Sequence, residues 1–132
     1  MRIERLLILS ALVALLGCGT KADSQKDAEM GKTGGARITF VELGSVNCIP
    51  CKAMQPIMKS IEEKYGDQIE VVFYDVWQAD QKRYAQEYKI KLIPTQVFLD
   101  KDSNELMRHE GFLPEKEIDV FLQEQGLTPI DQ

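Results

Sequence analysis

Hydrophobic and polar positions alternate in blocks that predict a short α/β chain. Residues 37–43, RITFVEL, are β-branched and apolar on both faces, as in a strand covered on both sides. From Cys51 onward Met54, Ile57, Met58, Ile61 and Tyr65 recur at helical spacing. Lys52, Gln55, Lys59, Glu62 and Glu63 occupy the opposite side, and Gly66 supplies a stop. Residues 69–76, IEVVFYDV, predict a second strand. Strand, helix, strand in this order is a βαβ unit, so the two strands are expected to be parallel with a right-handed crossover. A short helix is predicted over about 80–89, with Asp80 as N-cap and Tyr84, Ala85 and Tyr88 facing inward. Pro94 precedes a third strand at 95–100. KDSN is a turn cluster, and 105–111 reads as the hairpin partner. A last helix is expected from about Pro114 to Gln125, with Ile118, Phe121 and Leu122 on one face. The order β-α-β-α-β-β-α predicts a central mixed sheet of about four strands flanked by helices on both faces.

The first 35 residues do not share this patterning. Arg2 and Arg5 precede an apolar run from Leu6 to Leu16, too short to span a bilayer comfortably but suited to a signal-peptide core. The run ends in LLGC, which resembles the lipobox of bacterial lipoproteins and implies lipidation at Cys18. An ordinary secretory signal, or a short anchor that happens to contain Cys18, is the alternative. Residues 19–35 are polar, with four glycines, and cannot bury enough surface to fold. They read as a tether with an r.m.s. span of roughly 20–25 Å. The expected organisation is a signal peptide at 1–17, a lipidated Cys18 with its tether at 18–35, and one folded domain at 36–132. Such a chain would sit on the extracytoplasmic side of a membrane in the cell envelope, where disulfide chemistry is possible.

The length of 132 residues leaves room for one small domain. The net charge of −5, with basic residues dispersed among acidic ones, gives no footprint for nucleic acid. A monomer is expected.

Three cysteines remain to be placed. With Cys18 taken by lipid, Cys48 and Cys51 form a local pair that staples nothing distant. Cys48 lies between the first strand and the first helix. There the helix's free N–H groups and dipole favour thiolate over thiol. Pro50 is tolerated in a first turn, whose N–H groups lack helical partners. Two thiols one helical turn apart can attack a partner's disulfide and then close on each other, Cys48 as nucleophile and Cys51 as resolving thiol. Glu42, on the same strand face as Ile38 and Phe40, is a candidate proton acceptor if desolvation raises its pKa. It could equally be a solvated residue at the strand's end, and the residues alone leave both readings open.

CIPCK at 48–52, Pro56, KIKLIPT at 89–95 and Gly111 together resemble the thioredoxin family over roughly residues 37–126. The resemblance implies a thioredoxin-like fold and thiol–disulfide oxidoreductase activity without a cofactor or metal. It also implies a cis Ile93–Pro94 bond beside the cysteines, a buried acid at Glu42, and a substrate site bordered by Asn47, Ile49, Pro50 and the Ile93 backbone. The chain departs from the family pattern at several points. Asn47 replaces the Trp before the first cysteine, Phe73 replaces the Lys near the buried acid, and Leu92 stands where Gly is common. The lone Trp77 is expected to pack against or cap a strand end. The family's first strand and helix have no counterpart. No long insert separates the first helix from Pro94, which argues against the group dedicated to cytochrome c maturation.

The expected partners are disulfide-containing envelope proteins, the membrane through lipid on Cys18, and a membrane thiol–disulfide electron donor. Ile49 offers no charge or hydrogen bond that would strongly stabilise a thiolate, so reduction of protein disulfides is the expected direction. Oxidase or isomerase activity is one alternative. Cu(I) binding by Cys48 and Cys51, with Met54 or Met58 as a further ligand, is another, although both methionines stand at core spacing and His109 lies in the hairpin.

Overall fold

The structure, a computed structural model, describes residues 36–130. The signal peptide, Cys18 and the tether expected upstream lie outside these residues. Four strands form one sheet: β1 (Ile38–Gly44), β2 (Ile69–Asp75), β3 (Thr95–Asp100) and β4 (Glu105–Glu110). Three helices accompany them: α1 (Ile49–Tyr65), α2 (Arg83–Glu87) and α3 (Glu115–Glu124). The strand order is β2-β1-β3-β4, with β1 parallel to β2 and the other pairs antiparallel. β1 is therefore interior, and its doubly apolar sequence has the expected cause: it is covered on both faces.

One face of the sheet packs on α1 and α3. Ile38, Phe40, Ile69 and Phe98 from the strands meet Met54, Met58, Ile61 and Tyr65 from α1 and Ile118 and Leu122 from α3. Each such buried side chain contributes about 1.5–3 kcal/mol of burial. The other face holds Val41, Leu43, Val76 and Val97, with Tyr74, Tyr84, Tyr88 and Ile93 packed against them. The two clusters separate by the alternation along β1: even-numbered residues turn to α1, and Val41 and Leu43 turn to α2. Lys64 joins α1 to α3 through Glu115 and Asp119, each at 2.7 Å.

α2 is shorter than the pattern predicts. It spans Arg83–Glu87 rather than 80–89, and Asp80 is exposed and is not its N-cap. The residues before it form hydrogen-bonded turns: Gln78 N–H donates to Asp75 O, and Gln81 and Lys82 N–H both donate to Gln78 O. The Gln81 side chain accepts from Asp75 N–H at 2.8 Å, which fixes the turn against the end of β2. Lys89, with φ of 52°, ends the element. Tyr84, Ala85 and Tyr88 nevertheless face inward as their spacing predicts.

Trp77 is 60% exposed. Its N–H donates to Oδ1 of Asp75, the last residue of β2, at 3.1 Å, so the residue meets that strand end through its backbone.

Candidate active site

β1 delivers the chain directly to the cysteines. After Gly44 the loop at 45–47 turns into α1, and Cys48 is the N-cap of that helix, with extended backbone at φ −95° and ψ 125°. Its Sγ accepts a hydrogen bond from Cys51 N–H at 3.4 Å. Its carbonyl accepts from Lys52 N–H at 3.0 Å, the first bond of the helix. The first turn carries no acidic residue that would compete for the helix's positive end. Cys48 and Cys51 are joined by a disulfide, with their Cα atoms 5.2 Å apart. Cys51 is fully buried, and Cys48, 8% exposed, lies between the exposed residues Asn47 and Ile49, so of the two cysteines Cys48 is the nearer to solvent. Pro50 is in the first turn, where it removes no helical hydrogen bond.

The loop before Cys48 is held from below by Asp75, the last residue of β2. Its Oδ2 accepts from Val46 N–H at 3.3 Å, while Ser45 Oγ accepts from Asn47 N–H at 3.2 Å. Burial pushes the Asp75 carboxyl upward. The N–H groups of Val46 and Trp77, with the Ser45 hydroxyl and the Gln78 amide, outweigh that effect and hold it below the usual carboxylate range. It is therefore a fixed negative charge tied to the loop that presents Cys48.

The Ile93–Pro94 bond is cis, and Pro94 directly precedes β3. Thr95, the first residue of β3, pairs with Leu43, so Pro94 lies at the same end of the sheet as the cysteine loop. Thr95 Oγ1 donates to Leu92 O at 2.7 Å, and Gly111 N–H donates to Pro94 O at 2.8 Å. These two bonds fix the segment on both sides of Ile93. Leu92 is exposed.

Glu42 is completely buried, so it is not a solvated strand-end residue. It is in register with Phe73 on one side and with Gln96 on the other. Gln96 Nε2 donates to Glu42 Oε2 at 2.9 Å. Burial pushes the Glu42 pKa from 4.5 up to about 8, against the smaller downward pull of that bond. Two residues further along the same face comes Gly44. A Cβ placed there would lie 3.1 Å from Cys51 Cβ, 3.2 Å from Cys51 Sγ and 3.2 Å from the Phe73 ring. Cys51 thus lies against the face of β1 that carries Glu42, two strand residues further along at Gly44.

Met54 and Met58 belong to the core, with relative exposures of 0% and 6%. Met54 Sδ accepts from Leu113 N–H at 3.4 Å, and Met58 Sδ from Gln55 Nε2 at 3.8 Å. His109 is half-buried in β4, with Nε2 3.2 Å from Phe112 O. Among the described residues, no group of three or more His, Cys, Asp or Glu side chains is placed to hold a metal ion.

The sequence reading missed three residues of this neighbourhood: Asp75, Gln96 and Gly44. Gln96 carried a usable signal, being a polar side chain inside an otherwise apolar strand, on the face that β1 gives to Glu42.

A disulfide that links the N-cap of a helix to its first turn, with Cys51 fully buried and Cys48 nearer to solvent, is the arrangement of a dithiol/disulfide redox protein. The sequence profile of the thioredoxin-like domain matches residues 24–126, and the chain belongs to that family. It is similar to the chloroplastic thioredoxin Y of Oryza sativa subsp. japonica, 35% identical over 82 residues, which are 60% of this chain and 45% of that protein. It is also similar to the thioredoxin of Pongo abelii, 30% identical over 82 residues, covering 62% of this chain and 74% of that one. Among solved structures, the germline-specific thioredoxin Deadhead of Drosophila melanogaster superposes with a TM-score of 0.57 at 26% identity, over 67% of this chain and 80% of that one. The chain thus spans under half of the rice protein and about three quarters of the Pongo protein. It is a thioredoxin-like redox protein, and its CxxC pair and relatives support thiol–disulfide oxidoreductase activity.

Proposed function

We propose that this chain reduces disulfides of envelope proteins, from a membrane to which lipid on Cys18 anchors it on the extracytoplasmic side. The observation that carries the redox part is the Cys48–Cys51 disulfide at the N-cap of α1, with Cys51 buried and Cys48 flanked by exposed residues. The anchoring part rests on the basic start, the apolar run and the LLGC at 15–18.

In the reduced protein, Cys48 thiolate attacks one sulfur of the partner's disulfide. A mixed disulfide forms, and the partner's other sulfur leaves as a thiolate that takes up a proton. Cys51 then gives its proton to Glu42 and attacks Cys48. The Cys48–Cys51 bond forms, the mixed disulfide breaks, and the partner departs with two electrons more than it brought. Glu42 accepts in its ionised form, the minor form below about pH 8, and the proton it takes up must leave to solvent before the next cycle. Asn47, Ile49 and Pro50 border the attacking sulfur, and the Ile93 backbone beside Pro94 offers hydrogen bonds to an extended substrate segment.

The oxidised pair must be recharged by an external dithiol, for which a membrane thiol–disulfide transporter is the proposed source. Reduction rather than oxidation is favoured because the Ile49 side chain gives the reduced thiolate no charge or hydrogen bond.

The deciding measurement is the reduction potential of the Cys48/Cys51 couple. A value near about −270 mV supports a reductase, whereas one near about −120 mV would make the chain an oxidant. Incorporation of labelled fatty acid into the wild-type chain and its loss in Cys18→Ser tests the anchor. Equal labelling of the two, or none in either, refutes it.

A further inference from the structure

Glu42 and Gln96 are hydrogen-bonded to each other, completely buried, and each has one oxygen left over. Glu42 Oε1 and Gln96 Oε1 have no hydrogen-bond partner among the described residues. A buried acceptor without a donor is costly, so two on adjacent side chains call for a shared explanation. One proton supplies it. An ionised carboxylate only accepts, whereas a carboxylic acid also donates. Gln96 carries both kinds of group, an N–H that already serves Glu42 and an oxygen that lacks a donor. The terminal torsions of Glu and Gln are soft, which lets the two heads align as an acid–amide pair.

We propose that Gln96 is a positioning residue of the redox cycle, an amphoteric partner that donates to Glu42 when the carboxyl is ionised and accepts from it once Glu42 has taken the Cys51 proton. The inference rests on the reading of Glu42 as that proton's acceptor.

The surroundings leave the task to Gln96. From β2, Phe73 faces Glu42 and offers no polar atom. From α1 come Cys51 and Met54, and from α3 Ile118 and Leu122 join the same layer. In β4, His109 lies opposite Gln96, with its Nε2 engaged at Phe112 O. Among the described residues no ionised neighbour contributes to the Glu42 environment; burial and the Gln96 bond are its only causes. A cation in this place would bind the carboxylate and oppose its protonation. An amide serves both states, which is what a group that alternately holds and releases one proton requires.

The test uses the full chain in four forms: wild type, Glu42→Gln, Gln96→Met and the double variant. Release of a trapped mixed disulfide is followed against pH, and the carboxylic C=O stretch of the oxidised protein is recorded near pH 6. Gln96→Met is expected to slow release about tenfold, the scale of one hydrogen bond to a charged group. It should also move the midpoint of the pH profile upward, because the carboxylate loses its donor. Attack on the substrate should be unchanged. The stretch, absent in Glu42→Gln, should move to higher wavenumber in Gln96→Met, as a carboxyl freed of hydrogen bonds does. The double variant should be no slower than Glu42→Gln alone. Should Gln96→Met not fold, Gln96→Asn draws the amide back by one methylene and should shift the same two readouts. Slow release in Glu42→Gln beside wild-type release, midpoint and stretch in the Gln96 variant would overturn the inference and leave the role of Glu42 standing. Unchanged release in Glu42→Gln would remove the role of Glu42 itself, and the inference with it.

Discussion

Gly44 and Cys51 touch across the gap between β1 and α1: a Cβ on Gly44 would stand 3.1 Å from Cys51 Cβ and 3.2 Å from its sulfur. Neither Cys51 nor the Phe73 ring on the far side is the loose end of a flexible chain. Gly44→Ala is therefore expected to destabilise the oxidised protein by about 1–3 kcal/mol, the range for overpacking. It should also slow closure of the disulfide. Urea denaturation and the rate of mixed-disulfide release check both, and a wild-type denaturation midpoint would show that α1 gives way freely.

The two cysteines differ in position, and so should their variants. Cys48→Ser is expected to abolish reduction of insulin disulfides. Cys51→Ser should still attack and should accumulate mixed disulfides, visible as adducts on non-reducing gels. Activity in Cys48→Ser, with no adducts in Cys51→Ser, would reverse the assignment.

Glu42 also predicts a pH dependence of stability. Its carboxyl is raised from 4.5 to about 8 by burial, so between these values the folded chain holds a proton that the unfolded chain has released. The contribution of Glu42 is fully present below about 4.5 and is lost as pH rises through about 8. The slope is negative and at most about 1.4 kcal/mol per pH unit. Subtracting the urea stability of Glu42→Gln from that of the oxidised wild type across pH 4–9 isolates this term. A difference that is flat or rises with pH would mean that Glu42 is ionised in the fold.

Asp75→Ala removes the acceptor for the N–H groups of Val46 and Trp77. Leaving such groups unpaired costs about 1–3 kcal/mol. The loop that presents Cys48 loses both its anchor and a nearby negative charge, so the alkylation rate of reduced Cys48 should change along with stability. Asp75→Asn, which keeps an acceptor but removes the charge, separates the two effects. If it alkylates like the wild type, only the geometry matters.

Much of this could be read from the sequence because it depends on local pattern. The βαβ unit, the hairpin and the buried face of α1 followed from residues spaced by two or by three and four. The cysteines followed from their place between a strand and a helix. What could not be read is where the chain departs from local rules. Asp80 has the chemistry of a cap, yet α2 begins later because Gln81 commits its side chain to the end of β2. Trp77 suggested a packing role, but the turn holds its backbone and leaves its ring at the surface. The acid–amide pair needed strand register, since Glu42 and Gln96 are 54 positions apart and meet only because β1 and β3 are antiparallel neighbours.

β1 runs from Ile38 at one pole of the sheet to Gly44 beside the sulfurs, a rise of about 20 Å over six steps. Ala36, where the described chain begins, stands at the far pole. The point where the described chain begins and the point where its disulfide sits are thus separated by the full length of the sheet's interior strand.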